Sequence, residues 1–181
     1  MIKKLTIPVD HGNRNMKTTH FLFTTGLSST DRKPAGREDF LQTDGKFYVL
    51  SDKRIPYQRD KTQDERFSIL TRFAIAKELE RTGQVTEEDV VQVSLPIGVP
   101  PKHYAELAER YREYFLGDGK VQELVYNGKT YHTCIRDVAV YPQAYAAMMT
   151  EGEKIRQIPK AVGIDIGGFT SDFLLMRSGA P

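Results

Sequence analysis

The sequence has little cysteine, little net charge and no long apolar run. Its 181 residues contain one cysteine, Cys134, which excludes an internal disulfide framework and is typical of a reducing compartment. The 26 lysines and arginines nearly balance the 24 aspartates and glutamates, so the formal charge of +2 gives no reason to expect direct binding to nucleic acid or to a membrane. No stretch approaches the roughly 18 apolar residues of a membrane-spanning helix. We therefore expect a soluble, cytoplasmic protein in which Cys134 is a small buried strand residue.

Turn residues and alternating apolar residues predict a series of strands. A single apolar strand is predicted over residues 89–98, and hairpins are predicted over 5–26, 38–50, 120–141 and 160–176. Helices are predicted between these strands, over about residues 63–82, 101–116 and 142–158. Strand pairs that alternate with helices indicate an α/β fold, with a mixed sheet covered by helices.

Two of the three helices have recognisable ends. Thr62 and Glu65 have the spacing of a capping box at the start of the first helix, and Gly83 ends it. Pro142 stands where a first helical turn tolerates proline, so it is expected to open the third helix.

The sequence contains an internal repeat of one short motif. Two segments align without a gap, "PVDHGNRNMKT" and "GIDIGGFTSDF", so that Asp10 matches Asp165 and Gly12 matches Gly167. Each copy reads as a strand, an aspartate, a glycine turn and a second strand. An ordinary structural hairpin explains one such copy, because aspartate and glycine are common turn residues. Two copies at the ends of equivalent strands favour a shared binding site.

The glycines of the two turns indicate that this site binds phosphate. Gly12, Gly167 and Gly168 let backbone N–H groups approach an anion without a Cβ in the way. The carboxylates of Asp10 and Asp165 would repel a bare polyphosphate, so they imply a divalent cation between acids and phosphates. Mg²⁺ suits that position because it keeps several of its waters.

Lys17 follows Asp10 by seven residues and would supply a direct positive charge to the phosphates. Its ordinary alternative is a solvated strand lysine. The stretch "GNRNMK" lacks the second glycine and the Lys-Ser/Thr ending of a Walker loop, so a P-loop NTPase is disfavoured.

With these residues, the sequence resembles the actin and sugar-kinase ATPase superfamily, and within it the bacterial actin-like plasmid-partition proteins of the ParM/StbA type. The first phosphate loop of that superfamily is matched by "VDHGNRNMK" and the second by "IDIGGFTSD". The segment that is similar to ParM-like proteins is "GKFYVLSDKRIPYQRDKTQDERFSILTRFAIAKEL". The resemblance implies an actin-like, ribonuclease H-like fold, in which residues 1–158 form domain I, with a small insertion subdomain around 27–61. Residues 159–181 would be the first hairpin of an incomplete domain II.

The resemblance also implies a role for each matching residue. Asp10 and Asp165 would hold a hydrated Mg²⁺ and take part in catalysis, and Lys17 would contact the phosphates of ATP or GTP. Gln143 would position the attacking water, but it cannot take the proton, so hydrolysis is expected to be slow. Its alternative is a polar residue in a first helical turn. The two phosphate loops would be lined by Gly12, Asn13, Gly167, Gly168 and Thr170.

The function implied by the resemblance is a filament-forming ATPase that segregates plasmid DNA through a DNA-binding adaptor and does not itself bind nucleic acid. Two alternatives stay open: a small-molecule kinase of the same superfamily, and a non-catalytic fragment or interaction module. The second alternative stays open because the adenine loop of domain II has no counterpart in the sequence. We therefore expect this chain alone to bind nucleotide weakly and to hydrolyse it negligibly.

Several residues near these motifs are interpreted as structural. His11 is expected to serve the turn rather than the chemistry. Tyrosines 104, 111 and 114 are expected to pack a helix. One group of charged residues is interpreted as a solvated face, and its alternative is a filament or partner surface. The group consists of Arg59, Asp60, Lys61, Arg66 and Arg72.

Overall fold

A mixed seven-stranded sheet forms the centre of the structure, a computed structural model that describes residues 1–36 and 39–180. In chain order the strands are β1 (Ile2–Thr6), β2 (Asp10–His11), β3 (Asn15–Lys17), β4 (Leu22–Thr24), β5 (Leu27–Thr30), β6 (Phe40–Thr43), β7 (Lys46–Leu50), β8 (Val90–Val99), β9 (Gln122–Tyr126), β10 (Lys129–Pro142), β11 (Lys160–Ile166) and β12 (Ser171–Arg177). The helices are α1 (Arg66–Thr82), α2 (Tyr104–Leu116), α3 (Tyr145–Met149) and α4 (Gly152–Arg156). The large sheet has the order β1-β8-β10-β9-β6-β7-β5, and two smaller sheets are formed by β2-β3-β4 and β11-β12.

The strand β8 organises the parallel part of the large sheet. It pairs in parallel with both β1 and β10, whereas the remaining pairs of this sheet are antiparallel. Every second residue of β8 is buried, and this buried face shares one hydrophobic cluster with α1 and α2. The predicted strand over 89–98 and the predicted mixed sheet covered by helices are confirmed.

The helix α1 starts later than predicted. It begins at Arg66, and Glu65 precedes it without a side-chain cap, so the predicted capping box is wrong. Thr62 donates its hydroxyl to Asp60 instead, and Asp64 accepts the Arg66 N–H at 2.9 Å. Gly83 ends the helix in the left-handed conformation, with a φ of 60°, as predicted. Among the described residues, no helix is long and apolar enough to cross a membrane.

The predicted helix over 142–158 is also wrong. Pro142 is the last residue of β10 and pairs with Val99 of β8. Ala144 then has a φ of 65°, which is not helical, so no helix can start at Pro142. Only the two short helices α3 and α4 follow, separated by Thr150 and Glu151.

The hairpins agree with the sequence more closely. The second one turns on Asp44 and Gly45, both with positive φ, although Glu38, where its prediction starts, lies outside the described residues. The hairpins over 120–141 and 160–176 are confirmed as β9-β10 and β11-β12. The first predicted hairpin, over 5–26, is wrong in part: Leu5 lies in β1, which pairs with β8, and the hairpin is formed by β2 and β3 only. A turn then separates β3 from β4, where Thr18 donates its N–H to the Phe21 carbonyl at 2.9 Å. The Thr18 hydroxyl and the His20 N–H donate to the buried carboxylate of Glu78, which holds this turn against α1.

The segment over 27–61 contributes the edge of the large sheet. Its strands β5, β6 and β7 join through β6, which pairs with β9 at Leu41 and Gln42. The predicted insertion subdomain is therefore continuous with the sheet, and the division of the chain into domains stays a prediction. Cys134 is buried in β10, as predicted.

Replacing Leu95 by alanine tests the role of β8. Leu95 is fully buried on the face of β8 that shares a hydrophobic cluster with the helices, so the truncation is expected to lower the free energy of unfolding by about 2–5 kcal/mol. Urea denaturation measures the change. Ser94→Ala, on the opposite face of the same strand, is the matched control and is expected to stay within about 0.5 kcal/mol of the parent chain. Equal effects of the two substitutions would contradict this packing.

Candidate functional site

The two copies of the repeated motif fold into hairpins of the same register. Asp10 pairs with Lys17 across β2 and β3, and Asp165 pairs with Asp172 across β11 and β12. Each turn glycine also approaches the carbonyl of the residue three positions on. A Cβ added to Gly12 would lie 2.4 Å from the oxygen of Asn15, and the same test at Gly167 gives 3.1 Å from Thr170 O. The gapless alignment therefore corresponds to one shared local geometry.

Both hairpins face a single cleft of about 270 Å³. All nine residues of the predicted site line it, namely Asp10, Gly12, Asn13, Lys17, Gln143, Asp165, Gly167, Gly168 and Thr170. The structure thus brings together positions from opposite ends of the chain, while the roles given to them stay predictions. Sequence reasoning missed other lining residues, among them Arg14, Lys61, His103 and Asp172.

The first loop is held in place by side chains of neighbouring segments. The Thr25 hydroxyl donates to the Gly12 carbonyl at 2.6 Å, and the Thr25 N–H donates to the Arg14 carbonyl at 3.0 Å. From the other side, the Gln58 N–H donates to Asn13 Oδ1 at 3.2 Å. These bonds leave the loop little freedom, which is what a preorganised anion site requires.

His11 anchors the same loop to the core. Its ring is fully buried and stacks on Phe115 of α2, with the centroids 4.4 Å apart. Its Nε2 lies 2.7 Å from the hydroxyl of Thr71, which donates its own proton to the Phe67 carbonyl, so Nε2 must be the donor to Thr71. Burial lowers the pKa of His11 well below its usual value, and the nearby charge of Lys61 lowers it further. His11 does not line the cleft, which supports its structural interpretation.

Lys61 is not part of a solvated face, and that prediction is wrong for this residue. Only 3% of the Lys61 surface is accessible to solvent, because the amine points inward to the cleft and donates to the His11 carbonyl. Burial lowers the pKa of Lys61 to about 8, and the carboxylates of Asp10 and Asp172 oppose that shift. The other charged positions of this group form salt bridges, such as Arg59 with Glu106 at 2.9 Å, and Arg59 also lines the cleft.

The second loop contacts the first across the cleft. Gly167 donates its N–H to the Thr170 carbonyl at 2.9 Å, which closes the turn. A Cβ on Gly168 would lie 2.6 Å from the Cβ of Arg14, so glycine allows the two loops to approach. Next to it, the exposed ring of Phe169 lies 5.9 Å from the ring of Tyr57.

Gln143 reaches the cleft from the end of β10. Its N–H donates to the Val99 carbonyl at 2.8 Å, which continues the pairing of β10 with β8 by one residue. Its side chain lies over Gly98, where an added Cβ would be 3.1 Å from Gln143 Cγ. The predicted first-turn position in a helix is wrong, since Gln143 lies in the turn before α3.

The oxygen ligands of the cleft fit a magnesium ion that is bound jointly by protein carboxylates and phosphate oxygens. Among residues 1–36 and 39–180, no group of three or more His, Cys, Asp and Glu side chains could hold a metal ion on its own. Asp10, Asp165 and Asp172 nevertheless all line the cleft. Mg²⁺ keeps several waters and is bound in proteins by one or two carboxylates plus phosphate oxygens, so these acids fit it.

A known family model matches most of the chain. Residues 8–145 match the model described as the N-terminal domain of actin-like proteins. The chain belongs to the actin-like protein family. A search of curated proteins gives no match.

Solved structures of actin-like proteins show the same fold. The AlfA filament bound to AMPPNP has a TM-score of 0.71 and 15% identity, covering 98% of this chain and 66% of that one. The apo psk41 ParM protein has a TM-score of 0.76 and 14% identity, covering 98% of this chain and 63% of the other. Ta0583, an archaeal actin homologue, has a TM-score of 0.73 and 19% identity, covering 96% and 57%. The chain thus spans between 57% and 66% of the length of these three, and the predicted actin-like fold is confirmed.

Replacing Gly12 by alanine tests the packing of the first loop. The added Cβ would overlap the main-chain oxygen of Asn15, so the loop must shift, and we expect a loss of about 1–3 kcal/mol in the free energy of unfolding. Gly152→Ala is the control, because in α4 a Cβ meets only the flexible ends of Met149 and Arg156. Urea denaturation compares the two variants. A Gly12→Ala chain as stable as Gly152→Ala would show that the loop is not held as described.

The buried His11 predicts a loss of stability in acid. The unfolded chain binds a proton at His11 near pH 6.5, whereas the folded chain does so only at lower pH, so the free energy of unfolding falls as the pH drops below about 6.5. The loss continues until the folded-state pKa is reached. We expect His11→Gln to reduce this slope between about pH 7 and pH 5. His132→Gln, at a half-buried position of β10, is the control and should retain the slope.

Proposed function

We propose that this chain is the N-terminal, nucleotide-binding part of a cytoplasmic, filament-forming actin-like ATPase that segregates plasmid DNA through an adaptor. The observation that carries the proposal is the convergence of both phosphate loops, with Gln143, on one cleft. Because the chain spans about two thirds or less of its structural relatives, the activity belongs to the whole protein.

The charges of the two hairpins support a bound cation and phosphate. In the first hairpin Asp10 and Lys17 are opposite in charge and form a salt bridge of 3.1 Å. In the second, the same register places Asp165 directly opposite Asp172. Two like charges in directly opposed positions destabilise a hairpin. A cation in the cleft would offset that repulsion, and a metal–phosphate complex supplies one.

Each lining residue then has a role that follows from its chemistry. Asp10 and Asp165 would hold the waters of Mg²⁺, which when bound would supply positive charge to the phosphate oxygens. The turn amides beside Gly12, Gly167 and Gly168 would bind phosphate oxygens. Gln143 would orient a water with its amide but would leave that water's proton in place, so the residue positions the nucleophile and does not act as a base.

Neighbouring structures are consistent with a nucleotide ligand and with assembly. One is described as an AlfA filament bound to AMPPNP, and another as Ta0583 in complex with ADP, with a TM-score of 0.71 and 18% identity over 97% of this chain and 56% of that one. We extend ATP or GTP, Mg²⁺ and filament formation to this chain as proposals. The near-neutral charge favours an adaptor protein as the contact with DNA, since direct binding to the DNA backbone requires a basic surface.

Nucleotide binding is tested by thermal unfolding of the chain with millimolar ATP or GTP and Mg²⁺. A ligand at ten times its Kd stabilises the folded state by about 1.4 kcal/mol, so even weak binding raises the unfolding temperature. We expect Asp165→Asn to remove at least half of the magnesium-dependent rise. Asp52→Asn, at an exposed position outside the cleft, is expected to retain it. No rise with either nucleotide would refute the nucleotide site.

Filament formation is tested on the whole gene product by light scattering. We expect a rise in scattering that requires Mg²⁺ and either ATP or GTP, and that is reversed when the nucleotide is exhausted. A small-molecule kinase would instead release ADP in response to a substrate, without any rise in scattering. That second result would replace the proposed function by the kinase alternative.

A further inference from the structure

Lys61 is a buried cation with an incomplete set of partners. Its surface is 3% exposed, and it lines the cleft between the two phosphate loops. Within the described part of the chain, its Nζ has no carboxylate partner at salt-bridge distance, taken as 4.0 Å. An ammonium group carries three donors, and Lys61 uses one of them on the His11 carbonyl. Two donors of a buried charge are thus left for another partner.

The second lysine of the cleft is in a different state. Lys17 has a side chain that is 57% exposed, and its Nζ lies 3.1 Å from Asp10 Oδ2. It therefore has both water and a counter-ion. Burying a charge without a counter-ion is costly, so Lys61 is the residue whose environment calls for an anionic ligand.

Hydrogen bonds to α2 hold the main chain around Lys61 in place. The Lys61 N–H donates to the Tyr111 hydroxyl of α2 at 3.1 Å. On either side, Asp60 accepts from the Thr62 N–H at 3.0 Å and from Arg110 of α2 at 2.6 Å. The Lys61 ammonium itself lies over the face of the Phe67 ring, with Nζ 5.4 Å from the ring centroid. The amine is thus fixed at the inner end of the cleft.

The Lys61 amine interacts with residues of both hairpins. It donates to the main chain of β2 at His11, and the acids that attract it are Asp10 on β2 and Asp172 on β12. An anion that reaches Lys61 must therefore lie between the two phosphate loops. A chain of phosphates fits this path, because the turn residues of both loops and Lys17 line the same cleft.

We propose that the Lys61 ammonium is a second phosphate-binding cation, which contacts the terminal phosphoryl group of a polyphosphate bound between the two loops. The inference rests on the proposed function and assigns a further residue to its site. Lys61 binds the group at the inner end of the cleft, and Lys17 binds phosphates nearer to solvent. Because Lys61 also holds the His11 carbonyl, ligand binding and the position of the first loop are coupled through one amine.

The test compares the binding of inorganic tripolyphosphate to the parent chain and to Lys61→Met. Unfolding temperature is followed against tripolyphosphate concentration at fixed Mg²⁺ and fixed ionic strength, which gives an apparent Kd. A charge-assisted hydrogen bond predicts that Lys61→Met raises this Kd by roughly tenfold to a hundredfold. Lys77→Met is the matched control: its amine is also largely buried and pairs with Asp39, but it lies outside the cleft. We expect its Kd to stay within about twofold of the parent value.

A measurement on the unsubstituted chain covers the case in which Lys61→Met does not fold. Lysines are acetylated with trace acetic anhydride, with and without tripolyphosphate, and quantified by mass spectrometry. Lys61 is expected to lose reactivity when the anion is present, whereas Lys77 is expected to keep its reactivity. Unchanged labelling of Lys61, an unchanged Kd in a folded Lys61→Met chain, or no response of the parent chain to tripolyphosphate would each overturn the inference.

Parallel titrations with ATP and GTP separate this inference from the proposed function. If tripolyphosphate binds through Lys61 and neither nucleotide does, the nucleotide function fails and the role of Lys61 stands. If both nucleotides and tripolyphosphate stabilise the parent chain and Lys61→Met alike, nucleotide binding stands and the role of Lys61 fails.

Discussion

The contact of His11 with the helices α1 and α2 is the constraint on which the cleft depends. The ring is fixed between Phe115 and Thr71, so the backbone of β2 has one position relative to the helices. That backbone carries Asp10 and Gly12 on either side of His11, and its carbonyl accepts the amine of Lys61. A residue that faces away from the cleft thus determines where the acid, the turn and the buried cation of the cleft lie.

The hydrophobic organisation explains why the two hairpins differ in how they are held. The first is anchored to the large cluster that joins β8 to α1 and α2, which includes Met16. The second packs on a separate small cluster with α3 and α4, formed by Met148, Ile155, Leu174 and Met176. Its opposite face remains exposed along alternate strand residues, such as Val162, Ile164 and Phe173. The two loops of the repeated motif are therefore attached to separate packing units and meet at the cleft.

Much of this arrangement could be predicted because the relevant signals are local. The alternation of β8, the turn at Asp44 and Gly45, and the repeated Asp-x-Gly motif are each contained in about ten residues or fewer. The gapless repeat corresponds to the shared register of the two hairpins, since strand pairing around a tight turn is fixed by the turn itself.

The features that the sequence did not reveal depend on distant contacts. Lys61 is buried because Tyr111, fifty residues later, fixes its backbone, and neither charge nor spacing in "RDKTQ" indicates this. The predicted helix at Pro142 is replaced by a strand end because Pro142 pairs with Val99 of β8. The preference of proline for a first helical turn is therefore weaker than the pairing of β10 with β8. The later start of α1 is an exception with a local cause, since Asp60, two residues away, accepts the hydroxyl of Thr62.

The balance of charge in the cleft connects the fold to the chemistry proposed for it. Three carboxylates line the cleft, those of Asp10, Asp165 and Asp172, and four basic side chains line it as well, those of Arg14, Lys17, Arg59 and Lys61. A bare polyphosphate would add several negative charges to this set and would be repelled by the acids. A polyphosphate with Mg²⁺ brings its own cation to the carboxylates and leaves its outer oxygens for the lysines and the turn amides. The cleft is therefore complementary to a metal–polyphosphate complex, and neither the metal nor the anion alone would satisfy both the opposed acids of the second hairpin and the buried amine of Lys61.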